Sequence, residues 1–137
     1  MRPLLLVTAF AVAAAFAADP PDLNGTWQIN SSQGRLKFET LAIQQDSDSV
    51  KITESAANKK PVDVTCNTDA KECKLKEGKV SFWYNGTALV MMESNQDGGV
   101  VTKTRMTPGD DGKTLSLEVT RILPAGPSAT YTFKKQP

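Results

Sequence analysis

The sequence contains no histidine among its 137 residues. Histidine is the usual general base near neutral pH and the commonest neutral metal ligand, so its absence excludes most Ser-His and Cys-His arrangements and most zinc sites. The many Ser and Thr residues lack a His partner and a convincing Lys partner, and none has the pattern of an activated nucleophile. We therefore predict no catalytic residue, no metal, no cofactor and no enzymatic activity.

Net charge is also nearly absent, since 16 Lys and Arg residues face 15 Asp and Glu residues. A neutral chain has no electrostatic reason to bind nucleic acid or an anionic membrane surface. After the N-terminal segment, no stretch approaches the roughly 20 apolar residues that a membrane-spanning helix needs. The predicted partners therefore include neither nucleic acid nor a membrane span.

The N-terminal segment has the order of regions typical of a secretory signal peptide. One positive charge at Arg2 is followed by an apolar run over residues 4–16 and a small-x-small site at residues 15–17. A core helix is the alternative, but the Pro20-Pro21 pair would end it at once. We expect residues 1–17 to be a signal peptide and the protein to be secreted or periplasmic. Residues 18–137 are expected to form a single domain.

Cysteine is scarce, with only Cys66 and Cys73 present. A zinc site needs four ligands, and a redox pair normally has the shorter Cys-x-x-Cys spacing. A structural disulfide is therefore favoured over both in an exported protein. The polar spacer predicts a hairpin with Asp69 at its tip and the two cysteines directly opposed. Opposed strand residues lie within disulfide reach.

Short apolar-polar alternations recur along the chain and are separated by Gly, Asn and Asp turns. About eight or nine such strands joined by tight turns favour an all-β fold, an antiparallel up-and-down meander closed into a β-barrel or folded into a sandwich. Closure is attractive because it removes exposed strand edges. We predict the barrel.

The Asn85-Gly86 turn sets one hairpin, in which a two-residue loop would pair Tyr84 with Thr87. Its inner face and the next strand supply the candidate lining of a binding site for a small apolar or amphipathic ligand: Val80, Phe82, Tyr84, Leu89, Met91, Thr102 and Thr104. A few polar groups among apolar ones is typical of ligand pockets. The alternative is a filled core, because a small barrel can be just wide enough for its own side chains.

The outer face of the same hairpin is unusually apolar. Trp83, Val90 and Met92 lie there, flanked by Lys103 and Arg105 of the next strand. Aromatic, Met and Arg residues are enriched at the centres of interfaces. An exposed apolar face around Trp83 that binds a protein partner is therefore the alternative function.

Acidic residues provide the only other test of enzymatic function. Glu93 on an inner face and Glu118 on an outer face have no identifiable carboxylate partner, whereas acid–base hydrolysis of glycosides needs two carboxyl groups about 5–10 Å apart. Glu93 could instead pair with Arg121 or lie in water at the mouth of the barrel.

The Asn24-Gly25-Thr26-Trp27 segment resembles the opening strand of lipocalins and related calycin barrels. That resemblance implies that Trp27 plugs the closed end of the barrel and that a cationic side chain from a late strand, here Arg121, packs across its ring by cation–π contact.

Four longer segments resemble a family of small exported bacterial proteins, common in soil bacteria such as acidobacteria and described as uncharacterised or lipocalin-like. They are Leu23-Asn24-Gly25-Thr26-Trp27, Thr65-Cys66-Asn67-Thr68, Lys79-Val80-Ser81-Phe82-Trp83-Tyr84-Asn85-Gly86 and Asp111-Gly112-Lys113-Thr114-Leu115. The resemblance implies a barrel and export, and it supplies no catalytic residues.

Overall fold

The structure is a computed structural model that describes residues 19–32 and 36–137. The signal peptide predicted over residues 1–17 lies outside the described residues and stays a prediction. Ten β-strands account for most of the described chain: β1 (Gly25–Ser32), β2 (Thr40–Gln45), β3 (Ser49–Ser55), β4 (Val62–Asn67), β5 (Cys73–Leu75), β6 (Gly78–Asn85), β7 (Ala88–Asn95), β8 (Val101–Pro108), β9 (Thr114–Leu123) and β10 (Ser128–Lys135).

All ten strands belong to one antiparallel sheet in the order β4-β3-β2-β1-β10-β9-β8-β7-β6-β5. Each strand pairs with its neighbour in sequence, except that β1 and β10 also pair with each other and β4 and β5 are left as the two edges. The predicted all-β meander is confirmed, with one or two strands more than the sequence indicated. It is a nearly closed barrel with one seam, between β4 and β5.

The disulfide between Cys66 and Cys73 crosses this seam, with the two Cα atoms 5.8 Å apart. The bridge itself is confirmed, but the predicted hairpin is wrong because β4 and β5 are edges of the sheet that do not pair. The loop between them gives its backbone hydrogen bonds elsewhere: the Thr68 N–H donates to the Asp48 carbonyl and the Ala70 N–H to the Phe82 carbonyl, each at 2.9 Å. The bridge therefore joins the two edges of the barrel.

The β6–β7 hairpin differs from its predicted register while keeping its predicted faces. Asn85 pairs with Ala88 and Tyr84 with Leu89, so the loop residues are Gly86 and Thr87. Gly86 has a φ of 59° and Thr87 does not have a positive φ, a combination typical of a type II′ turn rather than the type I′ turn expected. Because the shift moves the pairing by two residues, Phe82 and Met91 still share the inner face.

Trp27 closes one end of the barrel. Its ring is fully buried, and its indole N–H donates to the Leu23 carbonyl at 3.0 Å. The cation over the ring is Lys135, with Nζ 5.6 Å from the ring centroid, in place of the predicted Arg121. Lys135 is the cross-strand partner of Trp27, whereas Arg121 lies near the C-terminal end of β9, at the opposite, open end of the barrel.

Replacing both cysteines tests how far the seam depends on the bridge. We expect Cys66→Ser with Cys73→Ser to lower the free energy of unfolding by about 2.5 kcal/mol, because a closed loop of this length restricts the unfolded chain. Urea unfolding gives the value. A reductant should lower the free energy of unfolding of the parent protein by the same amount and leave that of the double variant unchanged. If reduction does not change the stability of the parent protein, the role assigned to the bridge is contradicted.

Candidate ligand-binding site

A cavity of about 310 Å³ lies at the open end of the barrel and communicates with solvent. Its walls come from the inner faces of β2, β3 and β7 to β10 and from residues 36–38, which precede β2. The opposite end of the interior is filled, because Leu23, Trp27 and Phe133 are completely buried there. The interior is therefore part core and part cavity, so neither of the two sequence-based alternatives describes it fully.

Register organises the cavity wall into rows that become less polar with depth. The row at the mouth contains Glu93, Thr102 and Arg121, which are cross-strand neighbours on β7, β8 and β9. The next row contains Met91, Thr104 and Val119. The third contains Met106, Leu117 and Tyr131, all buried. An apolar interior thus ends in a charged mouth.

Three of the seven residues predicted to bind a ligand, Met91, Thr102 and Thr104, line this cavity. Their contact with a ligand stays a prediction. Val80, Phe82 and Leu89 are instead fully buried core residues that do not line it. Alternation identified the inner face correctly, but it carries no information about depth along the barrel.

Tyr84, the remaining predicted lining residue, also lies away from the cavity. Its hydroxyl accepts a hydrogen bond from Nε2 of Gln45 at 2.9 Å, and the same Nε2 donates to the Pro21 carbonyl. Gln45 and Pro21 lie at the end of the barrel that Leu23 covers. Tyr84 therefore helps to fix the N-terminal segment across the closed end.

Two charged lining residues were missed by the sequence analysis. Glu54 of β3 pairs with the buried Leu41 and points into the cavity, and Lys37 lines it from the segment before β2. The signal for Glu54 was present, because Val50, Ile52 and Glu54 alternate along one face of a strand. Lys37 had no such signal, since it lies in no strand.

The two cavity carboxylates have raised pKa values. Loss of solvent, together with repulsion from Glu93, raises the pKa of Glu54 to about 7, although Lys37 opposes the shift. Burial likewise raises the pKa of Glu93, again against Lys37. Among the residues that the structure describes, the one salt bridge with an N···O distance below 4.0 Å joins Lys79 to Glu72. Neither cavity carboxylate therefore has a direct cationic partner. The predicted alternative of a Glu93–Arg121 ion pair is therefore not formed.

Thr104 brings a hydroxyl to the middle of the cavity wall. Its side chain is only 6% exposed, and it forms no hydrogen bond with any residue that the structure describes. No fully enclosed side-chain oxygen or nitrogen of the described residues lacks a partner, so the Thr104 hydroxyl is not fully enclosed and is open to the cavity that it lines. A polar group left open in this way is suited to a hydrogen bond with an occupant.

The outer face of the β6–β7 hairpin is less exposed than predicted. Val90 is completely buried and Trp83 and Met92 are partly buried, with Lys103 and Arg105 also partly covered. Large side chains on neighbouring strands cover one another on the outside of a twisted sheet. The exposed apolar face around Trp83 is therefore not present in the predicted form, and the burial of these side chains does not support the protein-interaction hypothesis.

No family model and no curated protein matches the sequence. Solved structures do match the fold. Fatty-acid-binding protein 1 of Echinococcus granulosus is similar with a TM-score of 0.66 and 14% identity over 84% of this chain and 98% of that one. Secretory abundant heat soluble protein 4 of Ramazzottius varieornatus has a TM-score of 0.66 and 13% identity, over 83% of this chain and 94% of that one. The fluorescent protein UnaG has a TM-score of 0.62 and 20% identity, over 83% of this chain and 97% of that one.

The fold is a calycin-like β-barrel. This architecture confirms the fold that the resemblance of the Asn24-Gly25-Thr26-Trp27 segment implied. Identities this low establish the architecture alone and assign no ligand. Among the described residues no helix is long and apolar enough to cross a membrane.

The raised pKa of Glu54 predicts an unusual dependence of stability on pH. The folded protein holds this proton more tightly than the unfolded chain, so between about pH 4.5 and pH 7 stability falls as pH rises. The side chain in Glu54→Gln cannot ionise. Between pH 5 and pH 8 the free energy of unfolding of this variant should therefore fall by roughly 2 kcal/mol less than that of the parent protein, after allowance for the partial exposure of Glu54.

Urea unfolding at pH 5 and pH 8 measures this difference. Glu118→Gln, on the exposed outer face of β9, is the matched control and should behave as the parent protein does. Equal pH dependence in the Glu54→Gln variant and the parent protein would show that this carboxyl is not perturbed.

Proposed function

We propose that this protein is a non-catalytic binding protein that holds a small amphipathic molecule in the barrel. The observation that carries the proposal is the open cavity, which passes from buried apolar residues to a mouth with Glu54, Glu93, Lys37 and Arg121. At about 310 Å³ it lies at the lower end of the range for small-molecule pockets. An apolar chain would occupy the interior while a polar group stayed at the mouth.

Three further features support this function. A similar barrel is found in a protein named for binding fatty acids, and a buried hydroxyl, Thr104, is open to the cavity rather than bonded within the described chain. A rigid barrel with most strands paired on both sides also holds the cavity open without a ligand, which lowers the entropy lost on binding.

The setting that we propose is outside the cytoplasm. The disulfide across the seam suits an oxidising compartment, and residues 1–17 have the pattern of a signal peptide. A similar barrel occurs in a protein named as secretory, which also supports a secreted or periplasmic location.

The Glu54–Glu93 pair favours one second candidate, acid–base hydrolysis. A carboxyl group whose pKa is raised to about 7 can carry a proton while an ionised neighbour acts as base. Turnover of nitrophenyl glycosides that disappears in both Glu54→Gln and Glu93→Gln would establish it. We place it second because burial raises the pKa of both carboxyl groups, whereas hydrolysis of glycosides needs one of the two to be ionised as the base or nucleophile.

Filling the cavity tests the binding function. N-phenyl-1-naphthylamine, a neutral apolar dye, should gain fluorescence when mixed with the parent protein and be displaced by 1-octanol. Thr104→Phe places a ring in the middle row of the cavity and should abolish the gain, while thermal unfolding reports that the barrel stays folded.

The matched control is Thr107→Phe, because Thr107 lies on the same strand but on the opposite face. This variant should bind the dye as the parent protein does. Dye binding that survives in Thr104→Phe, or that is absent from the parent protein, would contradict an internal binding site.

A further inference from the structure

Resting on the proposed binding function, we propose that the occupant is a cationic amphiphile, an apolar chain ending in a protonated amine that is held between Glu54 and Glu93. The position of the four charged side chains at the mouth and the hydroxyl groups below them indicate this head group.

The two carboxylates approach the mouth from either side of the seam. Glu54 is on β3, which is next to the edge strand β4, and Glu93 is on β7, two strands from the edge strand β5. Both line the same cavity. They are close enough for their charges to interact, because the charge of Glu93 raises the pKa of Glu54. A cation between them would replace this repulsion with two attractions.

The cations of the mouth do not neutralise this pair. Lys37 and Arg121 are exposed, and neither lies within 4.0 Å of a cavity carboxylate. Lys37 opposes the rise of both pKa values without reversing it. The charges shielded from water are therefore the two negative ones, and the positive ones face solvent.

Hydroxyl groups complete the set of acceptors. An alkylammonium group has three N–H donors, which two carboxylates and one hydroxyl can satisfy. Thr102 is the direct neighbour of Glu93, and the unbonded hydroxyl of Thr104 lies one row deeper. Because hydroxyl oxygens accept hydrogen bonds, the three N–H donors of the ammonium group find their acceptors within the site and need none from solvent.

A carboxylate head group fits this mouth poorly. It would add a third negative charge beside Glu54 and Glu93, and the cations that could offset it are the solvent-exposed Lys37 and Arg121. An alcohol is intermediate, since it can donate to either carboxylate but carries no charge. The order of affinity expected for chains of equal length is therefore amine, alcohol, carboxylate.

Three ligands of equal chain length test this order on the unmodified protein. Isothermal titration calorimetry at pH 8 should show octylamine binding about tenfold more tightly than 1-octanol, and octanoate binding more weakly than either. The preference for octylamine should decline as pH falls from 8 to 5, because Glu54 and Glu93, whose pKa values are raised, take up protons.

Variants assign the effect to particular side chains. Glu54→Gln with Glu93→Gln should remove the tenfold preference for octylamine over 1-octanol. Lys37→Gln with Arg121→Gln should not weaken octylamine binding. The ligand series and the pH profile of the parent protein keep the test decisive if a variant does not fold.

The outcomes separate the two proposals. If none of the three ligands binds, the proposed binding function fails and this inference fails with it. If all three bind equally, or octanoate binds best and loses affinity in the Lys37 and Arg121 variant, the binding function stands and the cationic head group is overturned.

Discussion

The pairing of β1 with β10 is the constraint on which the remaining structure depends. It joins the two ends of the meander, so that eight of the ten strands have hydrogen-bonded neighbours on both sides. The edges that remain, β4 and β5, meet at a seam that the disulfide crosses. Closure of this kind protects the edges from pairing with other chains and encloses an interior that side chains fill at only one end.

Closure also creates the polarity of the interior. Inner-face residues are brought into rows by strand register, and the rows run from Leu23 and Trp27 at the closed end to Glu93, Thr102 and Arg121 at the mouth. Charged side chains remain near solvent because complete burial of an unpaired charge is costly. The same arrangement leaves space among Met91, Thr104 and their neighbours, and this space is the cavity.

The four charged side chains at the mouth belong to this chain, whereas the barrel shape is shared with other proteins. Solved structures with 13–20% identity share its shape, and shape alone assigns no ligand. Here Glu54 and Glu93 are partly withdrawn from water without a direct cationic partner among the described residues, while Lys37 and Arg121 reach solvent. In the function that we propose, local electrostatics selects the head group, and the barrel supplies the frame that holds the carboxylates at one cavity.

The sequence by itself determined the all-β meander, the disulfide and the inner face of the β6–β7 hairpin, because each depends on local alternation, turn residues or cysteine count. It also indicated that Trp27 plugs the barrel. Only the tertiary structure decided that Lys135 rather than Arg121 covers Trp27, since cross-strand partners depend on register over the whole sheet. It alone decided that Cys66 and Cys73 bridge a seam, and that Phe82 fills the core while Thr104 lines a cavity. Glu54 and Glu93 are 39 positions apart in the sequence, so only barrel closure brings them to one mouth.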